Sequence, residues 1–108
     1  MVDRPGTGEV AVLVHLDIGA PSDPEDVAEF RQLADSAGAL PVGLVTGARH
    51  LPDSRLFVGS GKAEEIRDLV AAEGAELVIF DHPLSPSQER NLERLLKCRV
   101  VDRTGLIL

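Results

Sequence analysis

Short apolar runs alternate along the chain with longer stretches of helical periodicity, and this alternation constrains the fold more than any other feature. The first run, EVAVLVHL at residues 9–16, is almost continuously apolar and rich in β-branched residues, as is typical of a strand covered on both faces. Similar runs follow at 39–47, 76–81 and 98–103. Strands separated by helices are joined by right-handed crossovers. The sequence therefore predicts one α/β domain over residues 1–108, with a mostly parallel four-stranded sheet in two or three layers.

About three packing helices are predicted between these strands, each with its own start and stop signals. The first is capped by Asp23 and ends at Gly38. The second runs from about Gly61–Glu73, with an apolar inner face. In the third, Ser85 and Gln88 form a capping box ahead of a leucine stripe.

Composition restricts the classes of function. The net charge is −7, which argues against sequence-independent binding of nucleic acid. The chain also has no Trp or Tyr for base stacking. Any RNA contact must therefore use a local basic patch. A single cysteine, Cys98, excludes an internal disulfide, and no apolar run approaches the ~20 residues of a membrane span. With no signal peptide in the first residues, this predicts a cytoplasmic protein.

A glycine-rich turn opens the predicted second helix, where unpaired N–H groups could bind an anion. A P-loop is excluded, because Leu56 stands where its first glycine should be and Ala63 replaces the hydroxyl residue. Two interpretations remain. In the first, the turn only starts a helix, and the charge of Lys62 is solvated or offset by Glu65. In the second, the turn binds an anion or a nucleotide. The candidate residues are Gly59, Ser60, Gly61 and Lys62. Just upstream, LFV at 56–58 is predicted as a short extra strand of undetermined direction.

Three aspartates follow predicted strands: Asp17, Asp81 and Asp102. The carboxyl ends of parallel strands meet at one edge of a sheet, where α/β proteins bind ligands. Three convergent carboxylates could hold Mg²⁺, as in a receiver domain. A receiver domain needs two adjacent acids after its first strand, however, and aspartate also commonly ends strands for purely structural reasons. The prediction is therefore no metal site, with Mg²⁺ at these aspartates as the alternative.

The histidines show no metal-ligand spacing, since His15, His50 and His82 are scattered. Asp81, His82 and Ser85 lie close in sequence and suggest a hydrolase triad. We exclude that interpretation because Ser85 already serves as a helix cap. No catalytic residue is predicted.

The strongest local basic signal lies on the predicted third helix. Arg90, Arg94 and Lys97 are spaced three and four residues apart, so they share part of one helical face. The alternative is an ordinary solvated face in which Glu93 pairs with Lys97.

Three motifs together resemble one known family. GSGK occupies 59–62, LSPSQERNLE occupies 84–93 and DRTGLIL occupies 102–108, with a VIFD strand between the first two. In this order they resemble the N-terminal domain of the HflX family of ribosome-associated GTPases. These motifs and their strand cover about half of the chain, and the upstream strand and helix fit the family in outline.

The resemblance implies that this chain is a module of a larger protein. Family members continue into a helical hairpin and a G domain that uses GTP and Mg²⁺, and they bind the large ribosomal subunit to split or rescue ribosomes. For this chain the resemblance implies a regulatory, ribosome-binding role without catalysis of its own. The hairpin and G domain would be its partners in cis. The candidate rRNA contacts are Arg49, Arg55, Arg90, Arg94 and Lys97.

Two further expectations accompany the resemblance. The alternative function is an ATP-binding or nucleotide-binding domain with weak ATPase activity, using the turn at 59–62. The apolar end GLIL, at 105–108, could also pair two copies of the chain.

Overall fold

The computed structural model describes residues 10–21, 23–49, 51 and 53–103, and strands alternate with helices throughout these residues. The elements are β1 (Val10–Ile18), α1 (Pro24–Ser36), β2 (Leu40–Arg49), α2 (Ser60–Glu73), β3 (Leu77–Phe80), α3 (Pro86–Leu96) and β4 (Arg99–Asp102).

The strands form one sheet in the order β2-β1-β3-β4, and every neighbouring pair is parallel. The predicted α/β fold with a parallel four-stranded sheet is confirmed. β1 lies inside the sheet, and residues 11–16 are all buried. Its continuous apolar run is explained by this position, because neither face of the strand meets water.

Helices cover both faces, so the domain has three layers. On one face, α1 buries Phe30 and Ala34 in a core with Leu13 and Ile79. On the opposite face, α2 and α3 pack over the other side of the same strands. The largest fully buried side chains of that second core are Phe80, Leu16, Ile66, Leu92, Val12, Val14, Val58 and Val78.

Capping chemistry fixes the helix ends close to their predicted positions. Asp23 caps α1, and Ser85 with Gln88 forms the predicted capping box of α3. α2 begins at Ser60, one residue before its predicted start, and its N-cap Gly59 makes no side-chain hydrogen bond. Gly74 ends α2 in the left-handed conformation, with φ of 67°, which glycine adopts without steric cost.

Two segments differ from their predictions. β2 extends two residues beyond the predicted end at 47, to Arg49, and as an edge strand it tolerates Pro41 beside a register shift. Residues 56–58 do not form the predicted extra strand. They close a tight turn in which Asp53 and Phe57 exchange backbone hydrogen bonds. Within the described residues, no helix has the length and apolar character needed to cross a bilayer.

The strand order places a topological switch point between β1 and β3. From β1 the chain crosses to β2 on one side, and it then returns to form β3 and β4 on the other. Open α/β sheets bind ligands in the crevice outside the carboxyl ends of such strands. The residues that directly follow β1 and β3 lie at this edge.

Candidate functional site

A buried histidine–aspartate pair occupies the switch point. His15 Nδ1 lies 2.8 Å from Asp81 Oδ2, although the two residues are 66 positions apart. Their side chains are only 6% and 3% exposed. An ionised carboxylate only accepts hydrogen bonds, so His15 Nδ1 is the donor. Burying a charge is costly without a partner, and this contact supplies one.

Arg103, at the end of β4, completes this group, which we call the switch-point cluster: His15, Asp17, Asp81, His82 and Arg103. Arg103 Nη1 lies 2.9 Å from Asp81 Oδ1, at ion-pair distance but without hydrogen-bond alignment. Asp17 Oδ1 lies 3.5 Å from His15 Nε2. The cluster is thus a network of polar contacts in which Asp81 contacts both His15 and Arg103.

The predicted aspartates have structural partners in this arrangement. Asp81 is held by His15 and Arg103, and Asp102 Oδ2 accepts the Leu84 N–H at 2.9 Å. No group of three or more metal-ligating side chains forms among the described residues. The arrangement gives the Mg²⁺ alternative no support.

His82 packs inside the cluster as a hydrogen-bond acceptor. Its Nε2 accepts the Leu16 N–H at 3.1 Å, and its ring stacks on Phe57 at 5.1 Å between centroids. Phe57 has a φ of 68°, a left-handed conformation that side chains rarely adopt, and its aromatic contacts help to hold it there. Burial lowers the pKa of His82 and outweighs the opposing effect of the Asp81 carboxylate. Protonation of Nε2 would also break the hydrogen bond that this nitrogen accepts from the Leu16 N–H.

This environment predicts that the domain loses stability in mild acid. Because the folded-state pKa of His82 is lowered, its contribution is present above the unfolded pKa of about 6.5 and is lost as pH falls toward the folded value. Each pH unit in that window removes up to about 1.4 kcal/mol. The melting temperature should fall between about pH 7.5 and about pH 5.5, and less steeply in His82→Gln, whose amide oxygen can still accept from Leu16. Equal slopes for both proteins would contradict the role of His82.

The structure also describes Ser85, which the sequence analysis assigned as a helix cap. Ser85 Oγ accepts the Gln88 N–H at 3.1 Å, so the hydroxyl caps α3, as predicted. His50 lies outside the described residues.

The glycine–lysine turn at 59–62 forms the start of α2, next to the end of β2. Lys62 Nζ donates to Thr46 O at 2.8 Å and lies 3.1 Å from Glu65 Oε1. Lys62 is therefore not simply solvated, and Glu65 offsets its charge as one interpretation proposed. With its ammonium engaged by two oxygens, the turn gives the nucleotide-binding alternative little support.

Arg49 lies beside this turn. A Cβ at Gly59 would be 2.7 Å from Arg49 Nη1, so the guanidinium packs directly over the glycine. Arg49 and Lys62 together line a small cavity of about 170 Å³ at the carboxyl edge. The sequence did not indicate this contact, because it joins the end of β2 to the start of α2.

The turn at 53–57 is fastened to α3 by two amide side chains. Gln88 Nε2 donates to Asp53 O at 2.8 Å, and Asn91 Nδ2 donates to Arg55 O at 3.1 Å. Within the turn, Asp53 Oδ1 accepts the N–H groups of Arg55 and Leu56. These two hydrogen bonds lower the pKa of Asp53. Arg55 is thereby fixed next to the third helix.

The resulting cleft brings together basic residues that the sequence could only treat separately. We call it the arginine cleft; its volume is about 300 Å³, and its lining residues are Arg55, Leu56, Asn91, Arg94 and Leu95. Both arginines are exposed, and neither forms an ion pair with another described residue. This is an open basic site in an acidic chain.

The predicted basic stripe is shorter than expected. Arg90 and Arg94 are exposed on α3, but the helix ends at Leu96, and Lys97 is its C-cap with a left-handed φ of 59°. Lys97 therefore leaves the helical spacing on which its place in the stripe depended. The Glu93 carboxylate accepts the Val100 N–H at 3.3 Å, an interaction outside the predicted pairing with Lys97.

Comparison with known proteins gives one consistent result. The profile of the GTP-binding GTPase N-terminal family matches residues 24–108. The chain is 56% identical over 108 residues to a GTPase HflX of Escherichia coli and 39% identical over 100 residues to one of Caldanaerobacter subterraneus. These alignments cover 100% and 93% of the chain but 25% and 23% of the relatives, so the chain spans about a quarter of their length.

Solved structures share the fold at low sequence identity. The GDP complex of a protein called SsGBP superposes with a TM-score of 0.70 at 18% identity, over 91% of this chain and 27% of that one. A GTP-binding protein from Sulfolobus solfataricus, also in complex with GDP, gives 0.67 at 18% identity, over 91% and 29%. At this identity the similarity shows the fold alone.

Proposed function

This chain belongs to the HflX family of GTPases and corresponds to the N-terminal domain of its members, and on that basis we propose that it binds rRNA of the large ribosomal subunit. In this proposal the chain is part of a longer parent protein that hydrolyses GTP. In the parent it would help to split or rescue ribosomes. The RNA contact is formed by Arg55, Arg90 and Arg94. Lys97 and Arg49 are secondary contacts, because Lys97 lies beyond the end of α3 and Arg49 packs over Gly59 at the start of α2.

One observation carries this proposal: two exposed arginines that form no ion pair with another described residue line one cleft, despite a net charge of −7. Arginines that form no ion pair can contact phosphates without first breaking one. Because the rest of the domain repels RNA, the contact is local, and other parts of the parent supply the remaining affinity.

GTP and Mg²⁺ belong, in this proposal, to a separate G domain of the parent. The 108 residues contain no Gly-x-x-x-x-Gly-Lys-Ser/Thr pattern, and Lys62 is engaged by Thr46 O and Glu65. The N-terminal domain would then act by positioning the parent on the subunit, together with the helical hairpin.

Reversing the charge of two arginine side chains tests the RNA contact. In the full-length parent, Arg90→Glu with Arg94→Glu should weaken binding to purified large subunits at least about tenfold, because two phosphate contacts become repulsive. The slope of log K against log salt should fall by about two. Co-sedimentation at several salt concentrations measures both effects.

A charge-matched variant provides the control. Arg31→Glu on α1 with Arg67→Glu on α2 changes the net charge equally but leaves the arginine cleft intact. This variant should bind like the original protein. If both double variants bind alike, the α3 face does not contact RNA.

A further inference from the structure

The arginine cleft has features that phosphate attraction alone does not require. We propose that it is a pocket for one unpaired RNA nucleotide, whose base enters between the guanidiniums of Arg55 and Arg94 and rests on Leu56 and Leu95. The neighbouring phosphates contact the same two arginines. This inference rests on the proposed function, since it names the element of RNA that the basic site recognises.

The shape and lining of the cleft fit a base better than a backbone. Its volume of about 300 Å³ lies at the lower limit of small-molecule sites. Leu56 is 8% exposed, and Leu95 is half-buried and packs against the core, so the two leucines form a small apolar floor for the cleft. A phosphate gains nothing from such a surface, whereas the face of a base does.

The two arginines supply the remaining chemistry of a nucleotide site. A guanidinium is planar, stacks on bases and binds phosphate oxygens through paired N–H groups. Neither Arg55 nor Arg94 forms an ion pair within the described part of the chain, so neither must be released first. The domain has few aromatic residues, and guanidinium stacking can replace the aromatic platforms that it lacks.

The backbone that frames the cleft is held in place before any ligand binds. Asn91 and Gln88 hold the backbone of the turn at 53–57, and Asp53 closes the turn internally. The distance between the turn and α3 is thus set by hydrogen bonds within the protein. A preformed cleft loses less conformational entropy on binding.

The same hydrogen bonds argue against an acidic peptide as the ligand. A peptide needs partners for its own backbone, yet Arg55 O is taken by Asn91, and the N–H groups of Arg55 and Leu56 are taken by Asp53. A nucleotide has no such need, because a base and a phosphate together can be satisfied by stacking and by guanidinium N–H groups.

The test uses the 108-residue chain and a short single-stranded RNA that carries one 2-aminopurine, a base whose fluorescence changes on stacking. We expect a saturable fluorescence change, which the same RNA annealed to its complement does not give. Arg55→Lys with Arg94→Lys keeps both charges but removes the planar stacking surfaces, and should weaken binding about tenfold. Arg31→Lys with Arg67→Lys, on α1 and α2 and outside the cleft, should leave binding unchanged.

Three results would overturn the inference. They are no fluorescence change, equal affinity of the double lysine variant and the original chain, or full competition by a glutamate-rich peptide. Equal affinity would mean phosphate attraction only, and it would leave the proposed RNA contact standing. Failure of the proposed function would appear instead as unchanged subunit binding of the Arg90→Glu, Arg94→Glu parent.

Discussion

Phe30→Ala is expected to lower the free energy of unfolding by about 3–5 kcal/mol, the range for deleting a fully buried aromatic side chain. Phe30 is completely buried and is the largest side chain in the core beneath α1. The other fully buried residue of that helix, Ala34, is small. The loss includes both the apolar area of the ring and the cavity that remains, since the rigid strands can collapse only partly.

Thermal and urea unfolding would measure this effect. A loss of this size is a large share of the ~5–15 kcal/mol that stabilises a typical domain, and it should lower the melting temperature by more than about 10 °C. Leu33→Ala is the matched control, because Leu33 lies on the same helix but is only half-buried. If the two variants lose equal stability, Phe30 does not anchor α1 to the sheet.

Asp81→Asn is expected to cost about 3 kcal/mol, because it removes a buried carboxylate that contacts both His15 and Arg103. The substitution keeps the shape of the side chain but leaves His15 and Arg103 without their anionic partner. Arg103 is 42% exposed and can turn toward water, whereas His15 is 6% exposed and cannot. Most of the cost therefore falls on His15.

Asp17→Asn removes the same charge in the same cluster and serves as the control. Asp17 is 36% exposed and lies 3.5 Å from His15, so its loss should cost less than about 1 kcal/mol. Adding His15→Gln to Asp81→Asn should recover part of the stability, since an amide can replace the imidazole donor. A cost at Asp81 no larger than at Asp17 would show that the buried pair is not important for stability.

Much of the fold could be predicted because its signals are local. The caps at Asp23 and Ser85 satisfy N–H groups two or three residues away, and the apolar runs report burial whichever strands lie alongside. The site residues were harder to group. Arg55 and Arg94 were both recognised as basic candidates, but no local spacing connects a turn to a helix that begins 31 positions later.

Two local patterns in the sequence predicted structures that these residues do not form. Residues 56–58 have strand-like composition, yet Phe57 adopts a left-handed conformation that its contacts with Phe80 and His82 help to hold. Lys97 continues the helical spacing in the sequence but caps the helix in the structure. At Phe57, packing against distant residues overrides the local preference. Lys97 differs because the helix ends one residue before it.

By itself, the sequence determined the alternation of strands and helices, the helix ends, the parallel sheet and the family resemblance. All of these depend on periodicity, capping and motifs that neighbouring residues carry. Only the tertiary structure decided the strand order, which places His15 beside Asp81, and the docking of the 53–57 turn that makes Arg55 and Arg94 one cleft. The reason is physical: such contacts join residues far apart in the chain, and their geometry exists only once the sheet and its helices have packed.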